Sequence, residues 1–285
     1  MIPRGLLAPR APETHKGDVG HAFVVAGSVG LTGAAALSSL GALRVGSGLV
    51  TLGIPRSLSE VMAMKLTEVM TKPLPETKER SLSLQALPEL LTFVERVQAV
   101  AIGPGLSQHP QTRQMVRQFL PRLTKPAVVD ADALNAIADD RQALKRLTLP
   151  VVVTPHPGEM GRLVQLSAQD VQRDRERIAK EFATTYRVVV VLKGHGTIVA
   201  DIDGALYVNE TGNPGMATGG MGDVLTGMIA GLLAQGLAVF DAARLGVYLH
   251  GLAGDLAAEE IGEVGLIASD LLDRIPEAIE QYQNL

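Results

Sequence analysis

Short β-branched and aliphatic runs recur at residues 21–26, 49–53, 99–102, 127–130, 151–154 and 188–192, and helical patterns separate them. No other feature restricts the fold so strongly. Runs this short, mainly apolar and separated by helical patterns, predict parallel strands covered on both faces. Hydrophobic residues make up 46% of the chain and aromatic residues 3%, so the core must be built from aliphatic side chains. At residues 197–200 and 205–208 the pattern changes, with Asp203-Gly204 between two strand-like runs, which reads as a hairpin. The expected class is α/β, with a mainly parallel central sheet flanked by helices and an antiparallel edge hairpin.

Ser167 and Asp170 predict the start of one long polar helix running through Tyr186. After Asp223 the chain reads as all helical. Residues 72–80, with Pro73 and Pro75, are the best surface-loop candidate, and no linker, repeat or low-complexity tract divides the chain. The expected organisation is an N-terminal lead-in over residues 1–15 and a single domain over 16–285.

A formal charge of −4 and a pI near 5.9 give no electrostatic reason to expect nucleic acid or an anionic membrane as partner, so a small molecule is the expected ligand. The absence of cysteine rules out disulfides, thiolate nucleophiles and cysteine-held zinc. Prolines 3, 9 and 12 with Arg4 and Arg10 interrupt the N-terminus, which lacks the apolar stretch of a signal peptide. Residues 224–240 are apolar but contain Thr226 and Gln235 between Asp223 and Asp241, and they read as a buried helix. A cytoplasmic location is expected.

The strongest local signal is Thr218-Gly219-Gly220-Met221-Gly222-Asp223 followed by a helical pattern. Its glycines let backbone approach an anion, and the helix N-terminus adds unpaired N–H groups and partial positive charge. Asp223 is then either a helix cap or dipole partner, or a group with a chemical role. Upstream, a buried strand runs into Lys193, Gly194, His195, Gly196 and Thr197, which puts a cation and a hydroxyl at the carboxyl edge of the sheet, where open α/β folds bind ligands. Read alone, that turn is equally a solvated bend with a snorkelling lysine. A third strand end, Thr154-Pro155-His156-Pro157-Gly158-Glu159, presents a histidine and a glutamate on a stiff loop. Glu159 is a candidate to hold Mg2+ through water, or a helix N-terminal acid. Asp130 and Asp132 either face the same cleft or start the following helix, and His15 and His21 read as structural or solvated.

No Gly-Lys pair occurs, which excludes a P-loop, and there is no G-x-S-x-G elbow. The strand and spaced glycines at residues 24–33 imitate a dinucleotide-binding turn, yet the G-x-G-x-x-G spacing is absent and Arg56 stands where a ribose-holding acid belongs. A hydride-transferring enzyme is accordingly a distant alternative.

Taken in order, HKGDVGHAFVVAGSVGLTGAAAL, AIGPGL, VVDADALNA, TPHPGEMGRL, VVLKGHGTIVA and NPGMATGGMGDVLTGMIAGLLAQG resemble successive motifs of the ADP/ATP-dependent (S)-NAD(P)H-hydrate dehydratases, and the later VYLHGLAGDLAA is similar too. The resemblance covers nearly the whole chain and implies a ribokinase-like fold. It further implies that Ala34, Gly105, His156 and Asp223 contact the hydrate, while Lys193, Gly194, His195, Gly196, Thr197 and Gly222 contact the adenine nucleotide. The implied reaction is dehydration of (6S)-NADH hydrate or (6S)-NADPH hydrate, driven by ADP or ATP with Mg2+. A separate NAD(P)H-hydrate epimerase as functional partner and a homotetrameric assembly are also expectations of the resemblance. The closest rival is a small-molecule kinase of the same fold, in which Asp223 would take a hydroxyl proton and a stable phosphate ester would be the product. A noncatalytic nucleotide sensor is the third reading.

Overall fold

The computed structural model describes residues 2, 4–7, 9–147, 149 and 151–285; Met1, Pro3 and Ala8 of the expected lead-in lie outside the described residues. The strands are β1 (His21–Val25), β2 (Leu49–Pro55), β3 (Met70–Leu74), β4 (Ala99–Ile102) and β5 (Ala127–Val129), followed by β6 (Val151–Val153), β7 (Val189–Leu192), β8 (Ile198–Ala200) and β9 (Leu206–Val208). They form one sheet in the order β3-β2-β1-β4-β5-β6-β7-β8-β9. Every pairing from β3 to β7 is parallel, and β8 and β9 add antiparallel edge strands. The hairpin joining β8 to β9 turns at Gly204, whose φ of +89° is the left-handed conformation a glycine adopts freely.

Strand order explains where the helices lie. From β1 the chain first moves one way across the sheet to β2 and β3, then returns to β4 and moves the other way. Right-handed crossovers in opposite directions must cover opposite faces. The helices α1 (Thr32–Arg44) and α2 (Ser59–Lys65) accordingly cover one face. The other is covered by α3 (Leu87–Val94), α4 (Pro110–Phe119), α5 (Ala131–Ala138), α6 (Gln142–Lys145), α7 (Pro157–Val164), α8 (Ala168–Arg173) and α9 (Arg175–Tyr186). Finally α10 (Met221–Ala234), α11 (Val239–Ile261) and α12 (Ala268–Gln283) return to the first face. Successive strand residues serve different cores: Val24 and Val191 belong to the first, Phe23, Val190 and Leu192 to the second.

Two expectations are corrected. Residues 72–74 are the end of β3 and not a loop; Pro73 is tolerated because β3 is an edge strand bonded only to β2. The long helix expected from Ser167 to Tyr186 is two helices. Ser167 does cap α8, its Oγ accepting the Asp170 N–H at 3.1 Å, but Asp174 at φ −145° and ψ 52° breaks the run. The break lets Arg175 donate to the carbonyls of Leu192 and His195, an attraction from outside the helix that local propensity does not contain. Among the described residues, no helix is long and apolar enough to cross a membrane.

Candidate active site

The loops that bear the candidate site residues gather at the carboxyl edge of the parallel strands, where the glycine loop after β9 joins them. Two places along that edge gather them. The first is a cavity of about 780 Å3 walled by the turn Lys193, Gly194, His195, Gly196 and Thr197 and by Thr218, Gly219 and Gly222 of the glycine loop. The second is the crevice between β1 and β4, the point where the strand order reverses and where open sheets of this kind bind ligands. There Gly27 donates its N–H to Pro104, and Ser28 Oγ donates to the Gly105 carbonyl at 2.8 Å. A Cβ on Gly105 would come within 3.2 Å of the Ala34 Cβ and 2.9 Å of the Leu31 carbonyl. Ala34 and Gly105 thus adjoin each other, and neither lines the cavity. His156 does line it, beside the Lys193 turn.

Between the two places lies a set of charges. Asp130 is buried at the end of β5; its Oδ1 accepts from Lys193 Nζ at 2.8 Å and its Oδ2 from Thr226 Oγ1 at 2.7 Å. One carboxylate therefore joins β5, β7 and α10. Burial opposes the Lys193 charge, yet the carboxylates of Asp130 and Glu159, with Asp223 further off, outweigh it and hold the ammonium above its usual pKa. Its Nζ lies directly under the glycine loop, 3.3 Å from where a Cβ on Gly222 would stand.

Asp223 occupies the first turn of α10, whose N-cap is Gly220 at φ +96°. Among the described residues nothing donates a hydrogen bond to its carboxylate, so it does not act as the cap that sequence reasoning left open. Burial, then the charge of Asp130, push its pKa up to about 6; Lys193 opposes the shift, while Asp132 and Glu159 add to it. Burial and the neighbouring carboxylates thus act more strongly than a helix end worth about 1 kcal/mol, and the group is still largely ionised at neutral pH.

The His156 and Glu159 pair is a capping box for α7. His156 Nδ1 accepts the N–H groups of Gly158 and Glu159 at 3.0 and 3.3 Å, and Glu159 Oε2 accepts the His156 N–H at 2.9 Å. Burial raises the Glu159 pKa, with Lys193 opposing. The same oxygen lies 3.9 Å from Lys193 Nζ. A magnesium ion held directly here would meet the ammonium, and Asp130 is already committed to Lys193 and Thr226, so these residues do not fit a metal site built by the protein alone. Asp132 is occupied elsewhere, bonding Ser107 N and Gln108 Nε2 and so fixing the loop after β4. His15 is exposed and turns back on Gly17 and Asp18, while His21 bonds Thr51 Oγ1 at 2.8 Å. Neither joins the site.

Sequence reasoning assigned no role to several residues that shape the cavity. Arg175 supports the Lys193–Thr197 turn from behind through the two carbonyls noted above. His250, 8% exposed, lines the cavity and bonds the Met221 carbonyl at 2.9 Å; burial lowers its pKa to about 4, so the ring is neutral and donates from Nε2. Its only signal in the sequence is a lone histidine in an apolar helix, followed by glycine.

A family model described as NAD(P)H-hydrate dehydratase matches residues 22–277. A bifunctional NAD(P)H-hydrate repair enzyme of Moorella thermoacetica is 50% identical over 280 residues, 98% of this chain and 53% of that protein. This chain thus spans about half the length of the curated relatives it matches first. The crystal structure of an ADP/ATP-dependent NAD(P)H-hydrate dehydratase from Bacillus subtilis, co-crystallised with ATP and Mg2+, superposes with a TM-score of 0.81 at 33% identity, over 97% of this chain and 94% of that one. A ribokinase-like superfamily protein of Enterococcus faecalis superposes with a TM-score of 0.83 at 26% identity, over 96% and 92% of the two chains. With a fold of this kind and a family match that runs from the first strand of the sheet into the last helix, the chain belongs to the NAD(P)H-hydrate dehydratase family.

Proposed function

We propose that this chain uses ADP or ATP to dehydrate (6S)-NADH hydrate or (6S)-NADPH hydrate, restoring the reduced nicotinamide. The observation that carries the reading is Asp223, a carboxylate that accepts no hydrogen bond among the described residues, on the first turn of the helix that follows the glycine loop, with a pKa near 6. In this proposal the nucleotide phosphates lie over Thr218, Gly219, Gly220 and Gly222 and against Lys193, while Ala34, Gly105 and the His156 ring contact the hydrate. Asp223 takes the proton of the ring hydroxyl as its oxygen bonds the terminal phosphorus, and the bond from that phosphorus to the nucleotide breaks. AMP leaves if ADP is the donor, ADP if it is ATP. The ring nitrogen's lone pair then expels phosphate, and loss of a proton from the adjacent carbon restores the double bond. Water alone is a poor leaving group, which is the chemical reason to consume a nucleotide.

Magnesium would enter with the nucleotide phosphates, since the protein supplies no direct cage among the described residues, and no step above depends on it. Residues 16–285 acting as one catalytic unit, a hydrate epimerase as functional partner, a tetrameric assembly and a cytoplasmic location belong to the same proposal. The test is to incubate the protein with NADPH hydrate, magnesium and ADP or ATP, and to follow the near-ultraviolet absorbance of the reduced nicotinamide. Its return supports the dehydratase. Nucleotide consumption with accumulation of a stable phosphate ester would instead identify a kinase, and nucleotide binding without phosphate release a sensor.

A further inference from the structure

The stretch HGLAGD, residues 250–255 of α11, has no part in the mechanism above, yet three of its six residues address the segment between β9 and α10 that walls the cavity, and a fourth addresses the first residue of α10. His250 bonds the Met221 carbonyl at 2.9 Å. Gly251 lies against Thr211, where a Cβ would stand 2.2 Å from the Thr211 Oγ1. Gly254 lies against Met216, where a Cβ would stand 2.4 Å from the sulfur. Asp255 accepts twice, from the Gly212 N–H at 2.8 Å and from Asn213 Nδ2 at 2.9 Å. Thr211, Gly212, Asn213 and Met216 all line the cavity, whereas Asp255 does not.

This spacing has a physical logic. Residues 250 and 254, and 251 and 255, are four apart and share one face of a helix. Two glycines on that face remove side chains so that the segment can approach the helix backbone, and the polar residues beside them bond what approaches. A segment rich in Gly, Asn and Pro has little structure of its own; ordering it on ligand binding would cost conformational entropy and weaken affinity. Bonds that hold it beforehand remove that cost.

We infer that residues 250–255 are a fixed seat for the cavity segment, with Asp255 as a positioning residue that preorganises the nucleotide side without touching the ligand. The inference rests on the proposed nucleotide site. Asp255→Asn tests it: the carboxamide matches one donor but sets its own NH2 group against the other. Calorimetry should show ADP affinity about tenfold weaker, as expected for losing a charge-assisted bond, with NADPH affinity unchanged. General damage to the fold would weaken both ligands. The double variant Asn213→Asp with Asp255→Asn restores a donor for every acceptor, because the carboxamide now at position 255 donates to the carboxylate now at position 213. It should recover ADP affinity to within roughly threefold. Should Asp255→Asn fail to fold, Asn213→Ala removes the bond to Asp255 from the segment side, together with the one Asn213 accepts from the Gly215 N–H, and should still weaken ADP selectively. A folded Asp255→Asn protein that binds ADP as wild type does, or a double variant no better than the single one, would overturn the seat. Wild-type protein that binds neither ADP nor ATP would overturn the proposed nucleotide site and the seat with it.

Discussion

Asp223 carries opposite expectations for stability and for activity. Its pKa in the fold is near 6 against 3.8 for the free side chain, so the native state holds a proton that the unfolded chain has already released. Stability therefore falls as pH rises from about 4 to 6, and above that the ionised carboxylate is a standing penalty, at most about 3 kcal/mol and less where solvent screens it. Asp223→Asn should melt higher than wild type at pH 7 to 8, with the difference vanishing below about pH 4, while turnover drops roughly 10²- to 10⁴-fold. A variant that melted lower at neutral pH and kept near-normal turnover would assign Asp223 a purely structural role. In wild type, kcat/KM should fall as pH drops below about 6, because the proton acceptor is then already protonated. Lys193 differs in kind. Lys193→Ala should lose ADP and ATP binding, but it also leaves Asp130 buried and uncompensated, costing about 3–5 kcal/mol. Lys193→Met with Asp130→Asn should therefore melt higher than Lys193→Met alone. At this scale the sequence displayed what local motifs carry: the glycine loop, the lysine turn and Asp223. It did not display the Asp130–Lys193 bond or the roles of Arg175, His250 and Asp255, because each depends on a partner distant along the chain.

The helix α10 reaches the site by packing almost without side chains against α1. A Cβ on Gly227 would stand 1.9 Å from the Ser38 carbonyl oxygen, and one on Gly41 2.5 Å from the Val224 carbonyl oxygen. Backbone cannot yield as a flexible side chain does, so Gly227→Ala should force the helices apart and cost about 1–3 kcal/mol, read as a lower midpoint in a denaturant melt with unchanged slope. At the N-terminus of α7 the two jobs of His156 separate. Asparagine is as good a cap as any residue, so His156→Asn should melt within about 0.5 kcal/mol of wild type. The lost ring should then appear as weaker hydrate binding alone; lowered melting with both ligands weakened would make His156 only a cap. Element type was legible wherever a strand was buried on both faces, since β4 to β7 read as continuous apolar runs and β1 and β2 are interrupted only by His21 and Thr51. Edge strand β3 was not, because Lys72 and Pro73 make it look like a loop and only its pairing with β2 makes it a strand. The break at Asp174 was invisible for a related reason: carbonyls beyond the helix draw Arg175 away from its axis.

The proposed function puts two ligand places on one edge of one sheet, and volume bears on how they divide the work. Pockets for single small molecules run from roughly 300 to 1,000 Å3, so a cavity of about 780 Å3 suits one mononucleotide and not a mononucleotide together with a dinucleotide. In the proposed reading the nicotinamide dinucleotide extends into the crevice where the strand order reverses, beside Ala34 and Gly105, and reaches His156 at the cavity wall, with the Asp130, Lys193 and Asp223 group between the two places. That arrangement makes a prediction about the whole molecule that needs no turnover. A ligand that binds only the native state adds about 2.7 kcal/mol at a hundred times its Kd, and for a chain of this size each kcal/mol moves the melting temperature by roughly 2–4 °C. ADP alone and NADPH alone, each at such excess, should therefore raise the midpoint by roughly 5–10 °C. If the two places are separate, saturating both should give close to the sum of the shifts. If instead both ligands compete for the single cavity, the combined shift will not exceed the larger one, and the hydrate would have to be placed in the cavity in the nucleotide's stead. The Lys193→Met, Asp130→Asn double variant sharpens the reading, since it should abolish the ADP shift while leaving the NADPH shift near its wild-type size.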